Sequence, residues 1–216
     1  MGGGEETFSV QPARWAIGPP PPRITQHLAR ICSLVILILV GHWVHAYLGG
    51  VAFGPEGHAD GSNDTSKLFN WHPVLMTLGF AVLMSEALLS YQAPLPGAAL
   101  PRPSRKLLHV SCHAAALLCL AGGLAAVLRS HRAALPAPLP DWYSPHSYLG
   151  IAALGLLGGQ VLLGAYAYLW PRLPLPQRLA LGPLHRAAGM AAWLAGLAAV
   201  GAGLQEKVAF LQMKKG

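Results

Sequence analysis

Charge is what this 216-residue chain has least of. Asp, Glu, Lys and Arg make up 11% of it, less than half of the roughly 25% that typically covers a soluble domain. A chain so poor in charge and 53% apolar is neither disordered nor an ordinary water-soluble enzyme. Cysteine is scarce too. Cys32, Cys112 and Cys119 all fall in apolar stretches without CxxC spacing, which argues against a disulfide framework or a zinc site and suggests buried, inert thiols. The net charge of +7 sits on basic residues scattered singly between apolar blocks, with no aromatic interleaving, so no nucleic-acid partner is expected. A secretory signal is also missing: the first apolar run begins near Ile31, behind a leader bearing Arg14, Arg23 and the prolines Pro19 to Pro22.

What the chain does have is long apolar runs. A window of about 19 residues finds five that can cross about 30 Å of hydrocarbon, near residues 31–48, 73–92, 107–128, 146–170 and 183–204. Unpaired backbone groups in lipid are too costly for anything but helices there. The predicted fold is an all-α polytopic membrane bundle: a four-helix core plus a peripheral first helix. Residues 1–29 read as an N-terminal segment, 30–212 as the membrane domain and 213–216 as a short tail. Breakers mark the linkers, at Gly49 to Ser66, Pro94 to Ser104, Ala133 to Asp141 and Pro171 to Gln177.

Basic residues set the expected orientation. Arg14, Arg23, Arg30, Arg102, Arg105, Lys106, Arg172, Arg178 and Arg186 fall on one side; Lys67, Arg129, Arg132, Lys207, Lys214 and Lys215 fall on the other. The positive-inside rule puts the N-terminus in the cytosol and the C-terminus on the non-cytosolic side. The sequon Asn63-Asp64-Thr65 lies on the predicted non-cytosolic side and agrees.

Ionisable side chains inside a membrane mark function, and this chain has ten histidines. His72 and His146 open the second and fourth spans from one side. His109 and His185 open the third and fifth from the other. One pair of imidazoles near each membrane face suits two six-coordinate haems, each iron held by histidines from different helices. Neutral imidazole ligates iron without bringing net charge into lipid. Two readings without this chemistry stay open on the residues alone. One is a haem-less transporter or scaffold using histidines for protons or metal; the other is a quinol-oxidising cytochrome b subunit.

Local motifs point to a family. Phe69-Asn70-Trp71-His72-Pro73, Lys106-Leu107-Leu108-His109, Tyr143-Ser144-Pro145-His146-Ser147, Pro183-Leu184-His185 and Glu206-Lys207-Val208-Ala209-Phe210 occur in order, after Gly49-Gly50-Val51-Ala52-Phe53. Together they resemble the cytochrome b561 family, of a plant-like transmembrane ascorbate ferrireductase type, over nearly all of residues 30–212. The resemblance implies an ascorbate-dependent oxidoreductase with two haem b groups. It carries over His72 and His146 as ligands of the outer haem and His109 and His185 as ligands of the inner one. It implies electron transfer from cytosolic ascorbate to monodehydroascorbate or a ferric chelate, across a vacuolar, endosomal or plasma membrane.

The resemblance also marks substrate residues. Arg105 and Lys106, just before His109, map to the family's cytosolic ascorbate site, with Arg172 and Arg178 as weaker candidates. On the other side His131 maps to a histidine of the non-cytosolic site. Asn70 and Tyr143 are candidates for hydrogen bonds to substrate or haem. His113, one turn beyond His109, is assigned to packing or haem-pocket hydrogen bonding. His42 and His45 read as an interfacial belt, and Glu86 as an acid snorkelling to the interface. Family members usually have six spans, where hydropathy finds five here, and a homodimer is left open.

Overall fold

The computed structural model describes residues 22–93 and 100–213; Arg14, Lys214, Lys215 and residues 94–99 of the second linker lie outside them. Among the described residues, five helices are long and apolar enough to cross a membrane: α1 Arg23–Tyr47, α2 Ser66–Leu89, α3 Arg102–Arg132, α4 Pro145–Leu169 and α5 Leu175–Met213. All five expected spans are there, and α1, α3 and α5 run well past their apolar windows. A hydropathy window measures only the stretch that matches hydrocarbon, whereas a helix continues until its backbone is capped. At about 1.5 Å per residue, the 39 residues of α5 reach about 58 Å, well beyond the hydrocarbon thickness. It begins within the linker expected at Pro171 to Gln177. Likewise α1 begins at Arg23, inside the stretch read as a leader.

The boundaries have local causes. Gly49 and Gly50 take left-handed φ values of 78° and 82°, and the Gly50 amide donates back to the Val44 carbonyl at 2.9 Å, which closes α1. Arg102-Pro103 opens α3, where proline's missing N–H costs nothing. Ser144 caps α4 by accepting from the Ser147 amide at 3.2 Å, with Pro145 in the first turn. The Ser-Pro-His-Ser run is therefore a helix start that fixes His146 one position inside.

The helices pack as two antiparallel pairs, α2 with α3 and α4 with α5; α2 also meets α5, and α1 lies against α2. The core is Met76, Phe80 and Met84 from α2, Ala116 and Leu120 from α3, Ala153 and Leu157 from α4, and Ala192 and Val200 from α5. In the middle of α2, Leu78–Leu83 widens into a π-helical turn. There the Trp193 indole donates to the Phe80 carbonyl and the Ser85 hydroxyl, both at 3.2 Å. A second π-helical turn, Ala165–Leu169, ends α4.

Two sequence expectations change. Cys32 is exposed on the outer face of α1 instead of buried, because that face, with Ile31, Leu34 and Val35, is turned away from the bundle. Between α1 and α2 the chain forms a short hairpin, β1 Glu56–Gly57 with β2 Asn63–Asp64, which no hydrophobic alternation announced. Asn63, the sequon residue, ties the hairpin to the segment after α3: Nδ2 donates to the Ala133 carbonyl at 2.8 Å and Oδ1 accepts from the Leu135 amide at 2.9 Å. At the hairpin tip, the Ser62 hydroxyl and amide donate to Asp60 and hold its carboxyl below the usual carboxylate range.

Candidate functional site

The antiparallel run of α2 to α5 brings the four histidines together in two couples, although only His146 lies at a helix start: α2, α3 and α5 begin six, seven and ten residues before His72, His109 and His185. At one end His72 of α2 faces His146 of α4, with ring centres 6.0 Å apart and planes at 79°. At the other, His109 of α3 faces His185 of α5, 6.5 Å apart at 65°. Two imidazoles bound to one metal through bonds of about 2 Å, with each ring centre about 1.2 Å behind its nitrogen, stand about 6.4 Å apart. Both couples match that spacing. Each could hold one metal ion between two ring nitrogens and leave its remaining positions to a planar ligand.

Three of the four rings are aimed by backbone. Nδ1 of His72 bonds to the Gly123 carbonyl at 3.0 Å, that of His109 to Ala87 at 2.9 Å and that of His146 to Ala199 at 2.9 Å. A carbonyl accepts only, so each Nδ1 carries a proton, and in the neutral ring Nε2 is then the lone-pair donor. His185 Nδ1 has no partner among the described residues. Glycine gives two of the rings their room. A Cβ at Gly203 would lie 2.6 Å from His146 Cε1, and one at Gly164 would lie 3.1 Å from His185 Cε1. From His72 to Ala87, the residue that aims His109, α2 rises about 22 Å, so the couples sit at two levels across the bundle.

The other sequence candidates divide around these couples. His113 lies edge-on to His109 at 4.6 Å, with its Nδ1 unpartnered among the described residues. At the His109 end, Arg105 is committed to its own loop: Nε donates to Leu100 and Nη1 to Tyr91, at 2.8 and 2.9 Å. Lys106 donates to the Tyr168 carbonyl at 2.6 Å, with Arg172 and Arg178 as charged neighbours. Tyr168 packs on His185, ring centres 5.4 Å apart. Arg172 holds a left-handed φ of 63°, a conformation that non-glycine residues rarely adopt.

At the His72 end, His131 bonds to Asp141 at 2.7 Å and stacks parallel to Phe69, whose ring is 5.7 Å from that of His72. The Lys207 ammonium stands 4.4 Å over the same Phe69 ring. Sequence reasoning took Lys207 as a basic residue of the charge count and as part of a family motif but did not link it to Phe69, because nothing local ties residue 207 to residue 69. Asn70 is fully buried; Nδ2 donates to the Leu48 and Gly50 carbonyls at 3.1 and 2.7 Å, which ties the end of α1 to α2. Its Oδ1 has no partner among the described residues. Tyr143 is exposed and His42 packs against Tyr47, as an interfacial belt requires. Glu86 is no snorkelling acid: it is gripped by Arg30 of α1.

Fold and site together define a class: a multi-pass membrane helix bundle that presents paired imidazoles at two levels. Residues 71–211 match the family described as eukaryotic cytochrome b561. Among curated relatives, Transmembrane ascorbate ferrireductase 1 of Arabidopsis thaliana is 30% identical over 189 residues, 88% of this chain and 72% of that protein. Probable ascorbate-specific transmembrane electron transporter 2 of Oryza sativa subsp. japonica is 33% identical over 86% of this chain and 73% of its own length. Lysosomal membrane ascorbate-dependent ferrireductase CYB561A3 of Homo sapiens is 34% identical over 85% and 70%. The chain belongs to the eukaryotic cytochrome b561 family and is an integral multi-pass membrane protein. Membership implies haem b, and the donor set present fits it: imidazoles in facing couples, three of them with Nδ1 held by a carbonyl.

Proposed function

We propose that this protein carries electrons across its membrane, from ascorbate in the cytosol to an acceptor on the far side, through two b-type haems. His72 and His146 hold the outer haem; His109 and His185 hold the inner one. The observation that carries this reading is the pair of imidazole couples, 6.0 and 6.5 Å between ring centres, on opposite ends of one bundle. Held by two histidines each, the haems would supply one-electron transfer and not oxygen chemistry. The chain's residues do the rest. The carbonyls of Gly123, Ala87 and Ala199 keep three of the rings in the ligating tautomer.

With the N-terminus in the cytosol and the C-terminus on the far side, the inner couple opens toward a basic surface. Ascorbate is a monoanion near neutral pH, and Lys106, Arg172 and Arg178 offer it charge and donors beside His185 and Tyr168. Arg105 ties Leu100 to Tyr91 behind them. Lys106 spends one proton on Tyr168, and the other two remain for substrate. On the far side His131, supported by Asp141 and Phe69, is the contact for monodehydroascorbate or a ferric chelate, with the exposed Tyr143 as a further donor; Asn70, fully buried, is left to the haem side. His113 packs against His109 inside the haem pocket. Electron flow outward moves negative charge from the cytosol, which an inside-negative potential favours by about 2.3 kcal/mol per 100 mV. The membrane is of the vacuolar, endosomal or plasma type, and a homodimer is the assembly to look for.

Vesicles holding the protein, loaded with ascorbate and given ferric citrate outside, test this directly. Ferrous iron forms outside and a b-type band appears in the reduced spectrum; no band and no ferrous iron above protein-free vesicles would refute the reading. In the same assay Lys106→Gln keeps a donor for the Tyr168 carbonyl but removes the charge. It is expected to raise the ascorbate KM between about tenfold and 150-fold, the loss of a charge-assisted bond of about 1.5–3 kcal/mol, with haem content unchanged. An unchanged KM would remove Lys106 from the ascorbate site.

A further inference from the structure

The helix outside the haem core is tied into it at both levels. α1 leaves most of its surface facing outward, with Ile24, Leu28, Ile31 and Ile38 exposed. At the His72 level Asn70 holds its C-terminal end. At the His109 level Arg30 grips Glu86 in a bidentate pair, Nε to Oε1 at 2.6 Å and Nη2 to Oε2 at 3.0 Å, and Nη2 also donates to the Ala93 carbonyl at 2.7 Å. Both side chains are largely buried, 14% and 23% exposed.

An apolar pair would fasten α1 to α2 as well, and burying two charges works against stability even when they are matched. What an apolar pair would not give is direction. The residue after Glu86 is Ala87, fully buried, whose carbonyl aims His109 and also accepts from the Ser90 hydroxyl at 2.6 Å. This is the last turn of α2, where helix carbonyls lack intrahelical partners and the chain frays unless something holds it. Arg30 holds it from two sides, at Glu86 and at Ala93. The pair also places one positive and one negative charge at the level of the inner histidine couple, and the two cancel only while both are present.

We propose that Arg30 and Glu86 are positioning residues for the inner haem: their ion pair keeps the last turn of α2 in place so that the Ala87 carbonyl stays on His109, and their balanced charges set the reduction potential at that level. This rests on the two-haem reading above. Outer-shell partners of this kind tune both ligand geometry and potential.

The full chain, purified with haem, is titrated spectroscopically while the electrode potential is varied. Glu86→Gln leaves the Arg30 charge uncompensated, which favours the reduced iron, so the inner haem shifts to a more positive potential. Arg30→Gln leaves Glu86 uncompensated and shifts it to a more negative one. The outer haem stays where it was in both. The neutral double variant, and the charge-exchanged pair Arg30→Glu with Glu86→Arg, return the inner potential toward that of the parent. These two also supply the answer if a single variant does not fold. Shifts of the same sign in both single variants, equal shifts in both haems, or no shift would overturn the inference while leaving the two-haem reading intact. A parent protein with no inner haem signal would overturn both.

Discussion

Gly203→Leu is expected to cost the protein its outer haem and leave the inner one. The residue lies on α5 four positions after Ala199, whose carbonyl aims His146, so both face the same ring. A Cβ at position 203 would come within 2.6 Å of Cε1, 2.9 Å of Nδ1 and 3.1 Å of Nε2 of that imidazole. The ring edge cannot yield by flexing, because it is held to Ala199 at one side and to its own helix at the other. His146 must turn away from His72, and a haem with one axial ligand is left. Haem per chain falls by about half, and the loss is confined to the outer spectral component. Gly201→Leu is the control, since a Cβ there meets nothing within 4 Å. Equal haem in the two variants would mean that His146 does not bind iron in this rotamer.

The second large effect falls between the two levels. Gly196→Ala would place a methyl 2.1 Å from Phe80 Cδ1, against a ring that is 3% exposed and packed into the core. Overpacking of this kind costs about 1–3 kcal/mol, and here it also pushes α2 from α5 where Trp193 bonds to the Phe80 carbonyl. At about 2–4 °C per kcal/mol for a chain of this size, the melting temperature should drop by several degrees. Gly155→Ala, where a Cβ meets nothing, should be neutral or slightly stabilising, because alanine is the better helix former. Indistinguishable melting of the two would show that α2 and α5 do not close on each other at Phe80.

These two glycines show where the sequence could be read and where it could not. The five spans were legible because lipid demands an unbroken apolar stretch of fixed length, and the histidine couples because alternating helix direction converts position along the chain into depth. The spacing of Gly189, Gly196 and Gly203, seven residues apart on one face of α5, was also present in the sequence. What it faces was not, since Gln160, Phe80 and His146 come from two other helices. The same holds for Arg30 with Glu86 and for Lys207 over Phe69. Both pairs join residues far apart in the chain, and a charge count treats each member as if it stood alone. The π-helical turn at Leu78–Leu83 had no local mark either. It follows from the Trp193 donor and the Phe80 packing, which only the folded bundle brings together. The hairpin at Glu56–Asp64 escaped notice because two-residue strands carry no periodicity.

Axial ligation from both sides at two depths is the claim on which the rest depends, and counting haem per chain tests it most directly. The parent protein should carry two haems with low-spin spectra that sharpen on adding ascorbate. His72→Ala and His146→Ala should each remove the same one of the two, and His109→Ala and His185→Ala the other. A folded parent protein with no haem, or with one haem whose loss follows some other pairing of these four histidines, would contradict the account.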